Sequence, residues 1–168
     1  MKVRNLTAVS ILSATALILF VIEAQIPTLI PIPGIKLGLS NVVTVFTSYA
    51  LSRKKAGLVL ALRVILGGIF TGQALALIYS VSGAVLSYML LCVIKRFFGK
   101  RQMWAVSGFC AIVHNAAQLG MAALIMRTAA VFWYAPALCI SGVITGVFTG
   151  LAAQFTLLAL EKSGVKLS

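Results

Sequence analysis

The sequence predicts an all-α integral membrane protein folded as a single transmembrane domain over residues 1–168, and three observations carry that prediction. The chain is 61% hydrophobic with a mean hydropathy of +1.10. It holds only two acids, Glu23 and Glu161, against 14 lysines and arginines. Its charges fall in short clusters between apolar runs long enough to cross a bilayer, whereas a soluble helical domain needs a charged face on each helix.

The positions of the basic residues matter more than the net charge of +12. All but Lys36, Arg63 and Arg127 lie in four clusters that flank apolar runs: Lys2/Arg4, Arg53–Lys55, the "KRFFGKR" run from Lys95 to Arg101, and Lys162/Lys166. A nucleic-acid surface gathers its cations on one solvated face. Clusters at span ends instead follow the positive-inside pattern, and place both termini in the cytoplasm with an even number of crossings between clusters.

Six spans satisfy that arrangement. The first covers about 6–25; it follows Lys2 and Arg4 as a signal peptide would, but runs on without a small-residue cleavage site. Pro27, Pro31, Pro33, Gly34 and Gly38 then break the helix into a loop or re-entrant segment. The second span, about 39–52, and the third, about 56–70, are both shorter than the usual ~20 residues. The fourth, fifth and sixth cover about 74–94, 103–126 and 132–160. Lys36 and Arg127 fall on the outer side, where Trp133 and Tyr134 suit an interfacial belt.

Glycines recur at helical spacing as Gly68/Gly72 and as Gly142, Gly146 and Gly150 in "SGVITGVFTG". Such stripes let backbones approach closely where lipid and protein are equally apolar. Cys92, Cys110 and Cys139 show no metal-binding spacing and read as packing residues.

Polar residues inside the spans are the candidate site. In "AIVHNAAQLG" the lone histidine, His114, shares a helical face with Asn115 and Gln118, at spacings of three and four. A polar face in hydrocarbon must look into the bundle or a wet cavity. The three residues either bind a ligand or clamp helices together. Arg63 stands too deep for easy snorkelling, so it requires an anionic ligand, Glu23, or helix-end carbonyls. Lys36 and Asn41, with Gln73 nearby, add a cation and amides near the outer face; Lys36 is alternatively a solvated loop lysine. Paired carboxylates, a phosphate-binding loop, HExxH and an activated nucleophile are all missing, which favours binding or transport over catalysis and calls for no cofactor.

At "PIPGIKLGLSNVVTVF", "ALRVILGGIFTG", "VHNAAQLG" and "SGVITGVFTG" the chain closely resembles, over nearly its whole length, the Gx transporter family, long labelled heptaprenyl diphosphate synthase component I. That family is similar in size and six-helix layout to the substrate-binding S components of energy-coupling factor (ECF) importers. The resemblance implies a bacterial plasma-membrane protein that captures a small anionic or amphiphilic nutrient or precursor from outside, and that docks onto an ECF transmembrane subunit and its ATPases. On that reading Lys36, Asn41, Arg63, His114, Asn115 and Gln118 bind the ligand, and span one offers a small-residue docking face. Ser10/Ala14 and Ala8/Ala16 are available for this, although a clean AxxxA is absent. Prenyl-elongating enzymes carry aspartate-rich DDxxD motifs, and this chain contains no aspartate, so the label cannot describe the catalytic subunit. A non-catalytic role in prenyl diphosphate or quinone metabolism, or as an anchor for a flavin-linked electron-transfer partner, is the alternative. A single histidine excludes bis-histidine haem within one chain.

Overall fold

The computed structural model describes residues 3–25, 39–72 and 74–164, leaving aside the side chains of Arg4, Ala24, Thr71 and Ala76. Lys36, the prolines and glycines of the broken segment, Gln73, Lys2 and Lys166 lie outside the described residues. The elements are α1 (Val3–Gln25), α2 (Asn41–Ala50), α3 (Arg53–Thr71), α4 (Ala74–Ile94), α5 (Met103–Met126) and α6 (Ala135–Lys162), with short 3₁₀ turns at Lys100–Gln102 and Ala129–Tyr134.

Among the described residues six α-helices form, and four of them are long and apolar enough to cross a membrane: α1, α4, α5 and α6. The expected six helices are present, but six membrane crossings are not: α2 and α3, expected as short spans, do not qualify. α2 has 10 residues, a length of about 15 Å at 1.5 Å per residue, half the hydrocarbon thickness. α3 reaches 19 residues but carries Arg53, Lys54, Lys55 and Arg63 within it. The tight break between these two helices has a local cause. Leu51 closes α2 with its N–H on the Thr47 carbonyl, and the Ser52 hydroxyl accepts from the Lys55 N–H at 3.3 Å as the N-cap of α3. Helix α3 therefore begins at Arg53 rather than Ala56, with its cations in the first turn.

Helix α2 sits in the middle of the bundle and touches α1, α3, α5 and α6, while α3 packs on α4, α4 on α5 and α5 on α6. Between α1 and α6 the ring is parted by a shallow apolar groove of about 460 Å³, floored by Val42 and Phe46 of α2. Large apolar side chains such as Ile18, Ile69, Leu124, Ile144 and Phe148 point outward, and the interior holds serines, threonines, amides and charges. That inversion suits a hydrocarbon solvent, in which outward polar groups are expensive. Of the pairs proposed for span one, Ser10 and Ala14 are exposed and Ala16 is fully buried.

The Arg53–Lys55 and Lys95–Arg101 clusters and the end of α6 meet at one end of the bundle. Tyr88 donates to the Arg53 carbonyl at 2.8 Å, Tyr49 donates to that of Phe98 at 3.0 Å, and the Lys95 ammonium donates to the Ser48 carbonyl. Lys100 pairs with Glu161 at the end of α6. Partial burial, followed by the charge of Arg53, holds Lys95 below the usual lysine range.

The most extensive helix pairing is α5 with α6, and the glycine stripe lets the two backbones approach. A Cβ on Gly146 would stand 2.9 Å from the Gly108 Cα and the Ser107 oxygen, and one on Gly150 would stand 2.6 Å from the Trp104 Cα. Gly68 likewise admits Leu77. Gly72 does not belong with them: it caps α3 in the left-handed region at φ 63°, with nothing near its Cβ position. It ends the helix, as C-terminal glycines do, and meets no neighbour among the described residues. Cys110 is buried, but Cys139 is exposed and so is not a core residue.

Gly146→Leu is expected to force α5 and α6 apart and to destabilise the fold by about 1–3 kcal/mol, the usual cost of overpacking. Thermal unfolding in detergent checks this. An unchanged midpoint refutes the close seam.

Candidate functional site

Two apolar layers enclose a polar one. Along α5, Met103, Val106 and Cys110 join a cluster with Val45, Leu91 and Leu157 toward the basic end, and Leu119 and Ala122 join Tyr79, Val131 and Leu138 toward the other. Between these layers His114, Asn115 and Gln118 point inward, at 4%, 2% and 0% exposure. The helical face read from the sequence is therefore an interior face.

Asn115 joins α5 to α6. Its Nδ2 donates to the Leu138 carbonyl at 2.9 Å, and a Cβ on Gly142 would stand 2.6 Å from that nitrogen. The missing side chain at 142 is what lets the amide reach across. Its Oδ1 has no hydrogen-bond partner among the described residues.

His114 joins α5 to α4. Its ring lies against Gly83, where an added Cβ would stand 2.7 Å from both Cε1 and Nδ1. Gly83 was not singled out from the sequence. The available signal was a glycine inside an otherwise bulky apolar span, at the depth of the only histidine. His114 Nδ1 lacks a partner among the described residues, and the Arg63 charge acts on the ring.

Arg63 is tied to the start of α2. At 2% exposure, its guanidinium donates through one terminal nitrogen to Ser40 Oγ at 2.8 Å and Asn41 Oδ1 at 2.9 Å. The Ser40 N–H and hydroxyl donate in turn to Glu23 Oε2 at 3.4 and 3.3 Å. Glu23, 3% exposed, also acts on Arg63 through its charge. A carboxylate beside a helix N-terminus is favoured by the helix dipole. The direct partners of Arg63 are thus the Ser40 hydroxyl and the Asn41 amide oxygen, and Glu23, one of the three partners considered, is reached through Ser40. Ser40, unremarked in the sequence, bridges the two charges.

Arg63 binds Asn41 and acts through its charge on His114, which neighbours Asn115 on α5 with Gln118 one helical turn beyond; the placement of Lys36 lies outside the described residues. Arg63 Nε, Asn41 Nδ2 and both amide atoms of Gln118 have no hydrogen-bond partner among the described residues. These atoms offer donors and acceptors in a layer whose one cation among the described residues, Arg63, already has an acid near it. No group of three or more metal-ligating side chains occurs among the described residues.

Removing one member of the charge pair is expected to be worse than removing both. Glu23→Gln strands a buried guanidinium and costs about 3–5 kcal/mol, whereas Glu23→Gln with Arg63→Gln recovers much of that loss. Unfolding midpoints of the two variants decide it. A double variant as weak as the sum of its single variants shows that the two charges are uncoupled.

Neither curated proteins nor solved structures yield a match to this chain. The family model described as heptaprenyl diphosphate synthase component I does match it, over residues 12–157, and the chain belongs to that family.

Proposed function

We propose that the protein is a substrate-binding membrane subunit of a small-molecule importer, of the ECF S-component type, and that its polar layer receives a small polar or amphiphilic solute from the outside. The observation that supports this best is a half-length helix beginning inside the bundle, beside buried polar atoms that have no hydrogen-bond partner among the described residues. Interrupted helices that start near the midplane are how transporters present backbone and side-chain groups to a solute. In this reading α1, α3, α4, α5 and α6 surround α2, and the basic end faces the cytoplasm with both termini. Gln118, His114 Nδ1 and Asn115 Oδ1 orient the solute by hydrogen bonds. Since Arg63 already faces Glu23, capture of an anion falls chiefly to Lys36. The chain binds and does not catalyse; energy comes from a transmembrane partner and ATPase subunits.

A second reading follows from the family's description. A non-catalytic membrane subunit assisting prenyl diphosphate synthesis fits a chain that lacks aspartate and is largely apolar. It would meet its soluble synthase at the basic end.

Gln118 separates binding from clamping. A buried amide with no partner destabilises the empty protein, so Gln118→Ala is expected to leave the unfolding midpoint unchanged or raised. The same variant is expected to lose a metabolite adduct that native mass spectrometry detects on the wild-type chain, copurified with ATPase subunits. A lowered midpoint with the adduct retained makes Gln118 a structural residue. A synthase bound in place of any metabolite establishes the second reading.

A further inference from the structure

The basic end carries a feature that the polar layer does not use. Beside the last turns of α6 lies a cleft of about 660 Å³, lined by Arg101, Phe155, Leu158, Ala159, Glu161 and Lys162. Its chemistry is divided along the helix. Phe155, 65% exposed, with Leu158 and Ala159 forms an apolar strip, and Arg101 and Lys162 stand at the rim. The single acid in the cleft, Glu161, is engaged by Lys100.

Charge balance across the chain sharpens the point. Of its two acids, Glu161 is held by Lys100 and Glu23 is buried in the polar layer. Arg53, Lys54, Lys55, Lys95, Arg96, Arg101 and Lys162 therefore gather at one end with no further carboxylate in the sequence to balance them. Counter-charge must come from another molecule. Two cations above an apolar strip match a molecule with an anionic head and a hydrocarbon chain, and a guanidinium grips phosphate through paired N–H donors. Basic pockets at span ends bind anionic headgroups on this principle.

We infer that this cleft is a binding site for a membrane lipid with a phosphate headgroup, Arg101 and Lys162 holding the phosphate while the chain lies along Phe155, Leu158 and Ala159. The apolar strip favours a lipid over a free phosphate, because a soluble anion has no use for it. The site stands on different residues from the polar layer and does not depend on the transport reading.

The test releases the full-length protein from phosphatidylcholine nanodiscs containing phosphatidylglycerol and counts retained lipids by native mass spectrometry. Wild type is expected to retain phosphatidylglycerol in preference to phosphatidylcholine. Arg101→Gln with Lys162→Gln should weaken that retention roughly thirtyfold, as expected for two interfacial cations. Both side chains are exposed, so folding should survive, and Arg101→Lys with Lys162→Arg should keep the preference. Lys54→Gln with Lys55→Gln removes the same charge elsewhere at this end and should leave retention near wild type. Equal loss in that pair shows diffuse surface attraction and overturns the site, as does undiminished retention in the Arg101/Lys162 variant. Displacement of phosphatidylglycerol by inorganic diphosphate, with no preference between the two lipids, assigns the cleft to a soluble anion and also overturns it. Neither result bears on Gln118 or its metabolite, so the two readings fail separately.

Discussion

A guanidinium buried inside an apolar bundle is the constraint on which the rest of the structure depends. Taking a charged side chain out of water costs several kcal/mol even with relaxation of the surroundings. Something must bring oxygens to Arg63, and in this chain that is the start of α2. Ser40 and Asn41 accept from the guanidinium, and Ser40 donates to Glu23. One cluster thereby joins α1, α2 and α3 and holds the N-terminus of α2 within the bundle. The half-length of α2 is a consequence: a helix that starts at Arg63 and ends at the Ser52 cap has room for ten residues.

The other side of the polar layer is organised by what is absent from the side chains facing it. Gly142 lets Asn115 reach the Leu138 carbonyl, Gly83 makes room for the His114 ring, and Gly146 and Gly150 bring α6 against α5. Polar side chains and glycines work as pairs, the glycine giving the space and the polar group filling part of it. The glycine stripe and the "HNAAQ" segment are therefore two halves of one seam. Gln118 is the exception, since it is fully buried and neither of its amide atoms has a partner among the described residues. A seam built only to clamp helices gains nothing from such a group.

Much of the helical layout was legible because charge and turn signals coincide with helix ends. The spans expected at 74–94 and 103–126 have the ends of α4 and α5. The basic loop between them and the glycine before them stop apolar runs unambiguously. The region 39–71 was harder, because its boundaries depend on Ser52, a hydroxyl that caps α3 and places Arg53–Lys55 inside a helix. Hydropathy assigns such a cluster to a loop. Within the site, the inward face of α5 followed from spacing alone. The Glu23–Ser40–Arg63 cluster did not, because Glu23 and Arg63 are far apart in the chain and only the packing of α1 beside α3 sets their depths. Gly72 misled for a related reason: four-residue spacing suggests a packing stripe, whereas a positive φ at a helix end is a property of the backbone that spacing does not show.

The two acids have opposite surroundings, and the contrast separates two chemistries within one small bundle. Glu23 sits where water is excluded, so its charge is meaningful only with Arg63 and the α2 N-terminus close by; loss of either partner is felt through the whole layer. Glu161 is 41% exposed and paired with an equally accessible Lys100, a contact worth little in water and easily exchanged. Among the described residues the interior holds one cation and one acid, and the atoms left without partners there are hydrogen-bonding groups. The basic end is unbalanced and solvated, and recognition there is electrostatic and sensitive to salt. A polar solute and an anionic headgroup therefore need not compete for one site, because among the described residues the interior cation, Arg63, is already engaged by Ser40 and Asn41, whereas the basic end offers cations that no acid faces.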